Sequence, residues 1–197
     1  MKMIRIPYSL PMAQARRAGL KTQTRRQIKA SSRFDVWPPS AHPQHLEYFR
    51  SVCPYGQPGD ILLPIEPWRT LEEFDSLPPR EILAGTPIWL DANGPAPDYF
   101  GRYRHARFMP KHLIKARDEL VEVRVERLQD ISESDAKAEG LYQDTAGRWT
   151  TYSATEAARE HLSPVQAYLD LWEHLNGPGS WDANPWVWVL TFKRITA

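Results

Sequence analysis

Within "AGLKTQTRR", residues 18–26, a lysine and a hydroxyl stand three positions apart: Lys21 and Thr24. A lysine whose charge is suppressed by burial or by neighbouring cations can act as a base, and a threonine hydroxyl can serve as a nucleophile. Arg25 and Arg26 are the neighbouring cations in sequence. If the chain turns after Gly19, Lys21 and Thr24 can face one pocket. The plainer reading of these residues is a helix end running into a basic strand, with both side chains on the surface.

The surrounding charge is uneven. Residues 1–34 hold Lys2, Arg5, Arg16, Arg17, Lys21, Arg25, Arg26, Lys29 and Arg33, and the first acidic residue is Asp35. That leaves 16 of the 25 basic residues against all 24 acidic ones in the remainder. Such asymmetry suits an anionic partner, nucleic acid first among them. It suits equally a basic segment that pairs with the acidic remainder inside the fold.

Cys53 is the single cysteine, so no disulfide forms within the chain, which fits a reducing compartment. No apolar run is long enough for a signal peptide or a membrane span. The expectation is a soluble, cytoplasmic protein. There is no Walker A segment and no dinucleotide-binding glycine pattern. His42, His45 and Cys53 lack a fourth ligand and zinc-finger spacing. Neither a cofactor nor a metal is expected.

The elements that must position Lys21 and Thr24 follow from patterning. "MIRI" alternates as a strand. "PMAQARRA" reads as a short helix, with Ser9 as cap and Gly19 as stop. "TQTRRQI" alternates again. Residues 30–60 read as loop with a short helix near 43–51. "PYGQPGD" is a turn leading into "ILLPIEPW", where Pro64 and Pro67 demand an edge or bulged strand. "LEEFD", "PPREILAG" and "PKHLIKA" suggest short helical turns. "PIWLD" and "YFGRYRH" look like a strand pair around "ANGPAPD". "DELVEVRVERLQDI" alternates at Val121, Val123 and Val125. "SESDAKAEG" is a capped helix (Ser132, Asp135) ended by Gly140. "SATEAAREHL" has a similar box at Ser153 and Glu156. "SPVQAYLDLWEHLNG" has one at Ser163 and Gln166, with an apolar stripe of Val165, Leu169, Trp172 and Leu175. "NPWVWVLTFKRI" is a long final strand, and its Trp186 and Trp188 read as core. Strands mixed with short helices point to an α+β domain around a small barrel.

The order "GLKTQTRR", "CPYGQPGD", "VEVRVERLQDISESDAKAEGL", a late "LNG" helix end and "NPWVWVLTFK" resembles the ASCH-domain proteins of the PUA-like superfamily, especially the longer phage and prophage forms. The resemblance covers most of the chain. It implies a single α+β domain over 1–197: a PUA-like (ASCH) small β-barrel with flanking short helices and loop insertions near 30–52, 70–98 and 142–162. It also implies an RNA-linked function. One bacterial branch of the family comprises N4-acetylcytidine amidohydrolases, whose catalytic lysine, threonine and glutamate match Lys21, Thr24 and Glu139 here. The present chain is nearly twice as long as those enzymes, and the insertions leave open whether it takes a nucleoside or a polymer.

Amide hydrolysis needs a nucleophile, a base and a donor to the developing oxyanion. Thr24 is the candidate nucleophile. Lys21 is the base if neutral and the oxyanion donor if charged. Glu139 activates a water or carries a proton to the leaving amine. It stands in the last turn before Gly140, where a negative charge mildly disfavours the helix. Arg25 and Arg26 are candidate phosphate contacts, or partners of acidic residues. Trp68 and Tyr8 are candidate base-stacking residues. A non-catalytic RNA-binding module of a phage regulatory kind, and a ribonuclease using the Lys/Glu pair, are the alternatives.

Overall fold

The computed structural model describes residues 1–31, 34, 39–150 and 161–195. In chain order the elements are β1 (Met3–Pro7), α1 (Leu10–Arg17), β2 (Gln23–Gln27), α2 (Pro43–Ser51), β3 (Ile61–Ile65), β4 (Trp68–Thr70), β5 (Ile88–Leu90), β6 (Arg117–Arg127), α3 (Glu133–Ala138), β7 (Tyr142–Gln143), β8 (Trp149–Thr150), α4 (Pro164–Asn176) and β9 (Trp186–Ile195). Single 3-10 turns punctuate the stretch between β4 and β6, where the short helical segments were expected.

The fold is α+β. Five strands form one mixed sheet in the order β1-β3-β6-β9-β2. β1 and β3 are parallel; the other neighbours are antiparallel. Among the described residues the sheet does not close into a barrel, which corrects the expected closed form: β1 and β2 are its two edges. A side chain rather than a ladder spans the edges, with Arg26 Nη2 donating to Pro7 O at 2.7 Å.

Several local rules hold. α1 ends in a Schellman arrangement: Gly19 N–H bonds Arg16 O, Leu20 N–H bonds Ala15 O, and Gly19 takes a φ of +77°. That reversal sends residues 20–22 back along the helix end. In α3, Ser132 Oγ accepts from Asp135 N–H at 3.1 Å, the N-cap half of the expected box, while the Asp135 carboxylate turns instead to Gln23, Arg25 and Arg124. α2 occupies the expected 43–51.

Other expectations are corrected. β3 lies inside the sheet despite Pro64, because its ladder with β6 covers only Ile61 and Leu62. Pro64 sits beyond that point, opposite Ile6 of β1 alone, so its missing N–H breaks no second ladder. β5 pairs with β4 rather than with "YFGRYRH", which contributes only the bridges of Phe100 to Leu71 and Arg104 to Trp68. Alternation in β6 breaks at a bulge between Leu120 and Glu122. Leu120 and Val123 therefore both point inward, and Val121 is 49% exposed. In α4 the buried face is Ala167, Tyr168, Leu171 and Trp172, rotated from the expected stripe; Leu175 is 50% exposed. Ser163 caps α4 through Val165 N–H instead of Gln166. The expected box at Ser153 and Glu156 lies outside the described residues.

The main core packs both faces of β9. Val187, Trp188, Val189 and Leu190 are all buried. Trp188 meets Phe34 and Tyr55 and donates from Nε1 to Phe49 O at 2.8 Å. Trp186 is buried in the same core, beneath the guanidinium of Arg127. A buried fork ties α1 to β6: Arg16 Nε and Nη2 lie 2.6 and 2.5 Å from the Asp118 carboxylate oxygens. The chain between β3 and β6 forms a small lobe with its own apolar cluster of Trp68, Ile82, Ala106, Met109 and Leu113.

Candidate functional site

Three separate segments bring the site together. The turn after Gly19 places Lys21 on the end of α1, where its N–H bonds Ala15 O. Thr22 N–H bonds Ala138 O, and Phe192 N–H bonds Thr22 O, so the segment is sewn to α3 and β9. Lys21 and Glu139 consequently form an isolated β-bridge. Gly140 makes this approach possible: a Cβ there would lie 2.8 Å from the Ala15 Cβ and 3.1 Å from the Lys21 Cβ, at a φ of +103°.

The side chains of Lys21 and Glu139, each residue 3% exposed, meet directly. Lys21 Nζ is 2.5 Å from Glu139 Oε2 and 3.0 Å from Glu139 O. Burial pushes the Lys21 amine below its usual pKa, opposed by Glu139 and aided by Arg26 and Arg25. The other oxygen, Glu139 Oε1, accepts from Tyr168 Oη at 3.4 Å and lies 3.6 Å from Arg25 Nη1. Burial, then the Glu139 charge, raise the Tyr168 phenol well above its usual pKa, so it stays a donor.

Arg25 is a structural cation. Its Nη2 is 2.7 Å from Glu126 and 3.1 Å from Asp135, and its Nη1 donates to Gln23 Oε1 at 2.5 Å and faces Glu139 Oε1 at 3.6 Å. Burial opposes its charge, yet Glu139 and Glu126 outweigh this and raise its pKa. Of the two readings of Arg25, phosphate contact or partner of acidic residues, these pairings match the second. Arg16, Arg17 and Lys21 are likewise paired with Asp118, Glu66 and Glu139, so much of the N-terminal basic excess is spent inside the fold.

Lys21, Thr24, Arg25, Arg26 and Glu139 all line one cavity of about 240 Å³. Pro7, Tyr8 and Ser9 line it from the β1 edge. Its remaining wall is α4, through Tyr168, Leu171, Trp172, Leu175 and Asn176. Tyr8 is buried, with Lys21 Nζ and Arg26 Cζ each 5.9 Å from its ring centroid. Arg26 remains at the cavity with no carboxylate partner among the described residues. Trp68 is elsewhere. It is fully buried in the small lobe beneath the guanidinium of Arg104, which leaves no face for a base.

Apolar patterning alone does not single out the α4 wall. Its signal was the aromatic pair Tyr168 and Trp172 at i, i+4 spacing, which lies on one helix face. Cys53 is buried, and burial pushes its thiol up to about 11, far from a ready thiolate. Among the described residues no three His, Cys, Asp or Glu side chains gather as metal ligands. No helix among them is long and apolar enough to cross a membrane.

The arrangement offers a hydroxyl, a buried amine whose pKa is lowered, a carboxylate and, among the described residues, a guanidinium with no carboxylate partner, all around one small cavity. That set can activate a nucleophile, stabilise an oxyanion and return a proton to a leaving group. Compared with models of protein families, with curated proteins and with solved structures, the chain finds no match in any of the three.

Proposed function

We propose that this chain is an ASCH-type amidohydrolase that hydrolyses the amide of an N4-acylated cytidine, taken as a nucleoside or as a residue of RNA. The observation that carries the reading is the convergence of Lys21, Thr24 and Glu139 on one cavity. The cavity, at about 240 Å³, is below the roughly 300–1,000 Å³ of most ligand clefts, which suits a single modified base rather than a bulky folded substrate. The fold belongs to the same proposal. The five-stranded sheet, with its edges bridged by Arg26 and Pro7, is compatible with an opened PUA-like barrel.

In the reaction an oxygen nucleophile adds to the acyl carbon, the C–N bond breaks, and the N4 amine leaves with a proton. The oxygen comes from Thr24, forming an ester that water then cleaves, or from a water activated by Glu139. Lys21 takes the first proton when neutral, or holds the oxyanion when charged. Both carboxylate oxygens of Glu139 already hold donors, so its release from Lys21 must accompany any role as a base. The products are cytidine and the free carboxylic acid.

Purified protein incubated with N4-acetylcytidine should release cytidine and acetate, and the Lys21→Ala variant should not. Folded wild-type protein that turns over no acylated cytidine would remove the enzymatic reading. It would leave a binding module in which Arg26 and Tyr8 hold RNA without chemistry. Labelled single-stranded RNA should stay uncut throughout, which separates both from a ribonuclease.

A further inference from the structure

A second cleft opens beside Arg16 and Arg17 at the C-terminal end of α1, where the small lobe meets the start of β6 and the end of β9. Its volume is about 640 Å³, within the roughly 300–1,000 Å³ that small-molecule and cofactor sites occupy. Arg16 and Arg17 reach it but are spoken for, by Asp118 and by Glu66. Lys115, Arg117 and Arg194 also line it, all three are exposed, and none has an ion-pair partner among the described residues. Residues 99–117 explain the local excess. They include Arg102, Arg104, Arg107, Lys111, Lys115 and Arg117 and no acidic residue. Like charges gathered at one cleft repel, and a bound anion relieves that repulsion.

A carboxylate on the same cleft carries the reverse chemistry. Glu66 is 4% exposed. Its Oε1 accepts from Arg17 Nη2 at 2.8 Å, while Oε2 has no hydrogen-bond partner among the described residues. A buried carboxylate oxygen left unpaired is costly, and a ligand N–H or O–H would satisfy it. Leu90 and Ala92 supply apolar surface on the same cleft. A fully anionic ligand meets the cations but is repelled by Glu66. A ligand with phosphate at one end and an amino group on a flat body at the other meets both.

We propose that this cleft binds a nucleotide-class ligand, with its phosphate on Lys115, Arg117 and Arg194 and an exocyclic amino group on Glu66. The site is separate from the Lys21 cavity and stands whether or not that cavity hydrolyses amides.

The test is calorimetric titration of the full chain with two matched pairs of probes, AMP against IMP and CMP against UMP, with inorganic phosphate alongside. Within a pair the amino-bearing member should bind about tenfold or more tightly than its keto partner, the discrimination that one hydrogen bond to a charged group supplies. Inorganic phosphate should bind more weakly than either member. The Lys115→Glu/Arg117→Glu double variant lies on the surface and should keep its fold while losing AMP and CMP affinity by at least about tenfold. Glu66→Gln should erase the preference within each pair while phosphate binding persists. No binding by any probe, equal affinity within both pairs, or binding untouched by the charge reversal would each overturn the proposal.

Discussion

Lys21 Nζ lies 2.5 Å from Glu139 Oε2 across 118 residues of chain, with both side chains almost wholly enclosed. A pair this deep has little net worth for stability relative to apolar replacements, because desolvation offsets most of its attraction. Its removal one partner at a time is another matter.

Lys21→Ala leaves the Glu139 charge buried beside Tyr168, and Glu139→Ala strands the amine. Each single change should cost about 3–5 kcal/mol of stability. The double variant Lys21→Met/Glu139→Gln should recover much of that loss. Denaturant unfolding of all three checks the direction, and turnover of N4-acetylcytidine should stay about a hundredfold or more below wild type in every one.

Gly140→Ala is expected to be disruptive out of proportion to one methyl group. The added carbon would press on Ala15 and Lys21 at a positive φ. Strain of about 1–3 kcal/mol follows, and the Lys21–Glu139 bridge must widen to relieve it. Thermal unfolding should show the loss of stability. A kcat that falls further than the lowered melting point explains would show the widening.

Arg25 and Arg26 are neighbours in sequence with different fates, and their variants should separate. Arg25→Met uncovers Glu126, Asp135 and Glu139 together and should destabilise by about 3–5 kcal/mol. Arg26→Ala breaks only the bond to Pro7 O and the contact with Tyr8, so it should cost about 1 kcal/mol or less. Its effect should appear instead as weakened ligand binding that is less sensitive to salt. Unfolding curves beside a binding titration distinguish the two patterns.

Asp135 sets an acid dependence. Burial would raise its carboxyl, but hydrogen bonds from Gln23 and Arg124 and the Arg25 charge outweigh burial and hold it below the usual carboxylate range. As pH falls, the unfolded chain binds this proton before the folded protein does. The stability from Asp135 is therefore complete above the usual carboxylate value and is lost as pH drops through the lower folded value. Denaturant midpoints measured from about pH 6 to about pH 2 should fall steadily for wild type. Asp135→Asn should start lower and vary less over that range.

Local rules were legible wherever a short segment decides its own shape. Gly19 ends α1, Ser132 caps α3, and the alternation of β9 gives a buried strand. What escaped depends on partners distant in sequence. Pro64 reads as an edge residue until β6 is seen to leave β3 after Leu62. The bulge at Val121 is set by pairing with β9, and no property of the valines announces it. Trp68 reads as a stacking residue because exposure is not written in sequence; the small lobe that buries it is built from residues as far on as Leu113. At the site, Lys21, Thr24, Arg26 and Tyr8 do reach the cavity, and Glu139 joins them. Its α4 wall escaped because helix phase turns on which face meets the sheet, and hydrophobicity alone placed Leu175 inward.

The position of β9 between β6 and β2 has a consequence in time. The segment holding Thr24 has one ladder partner, residues 187–191 of β9, which follow it after most of the chain. During synthesis β2 emerges early and waits unpaired, with its arginines and threonine exposed to whatever is nearby. The cavity lined by Lys21 and Thr24 cannot form in a nascent chain until β9 has been made. The proposed chemistry at Lys21 would thereby be withheld from every shorter intermediate of translation.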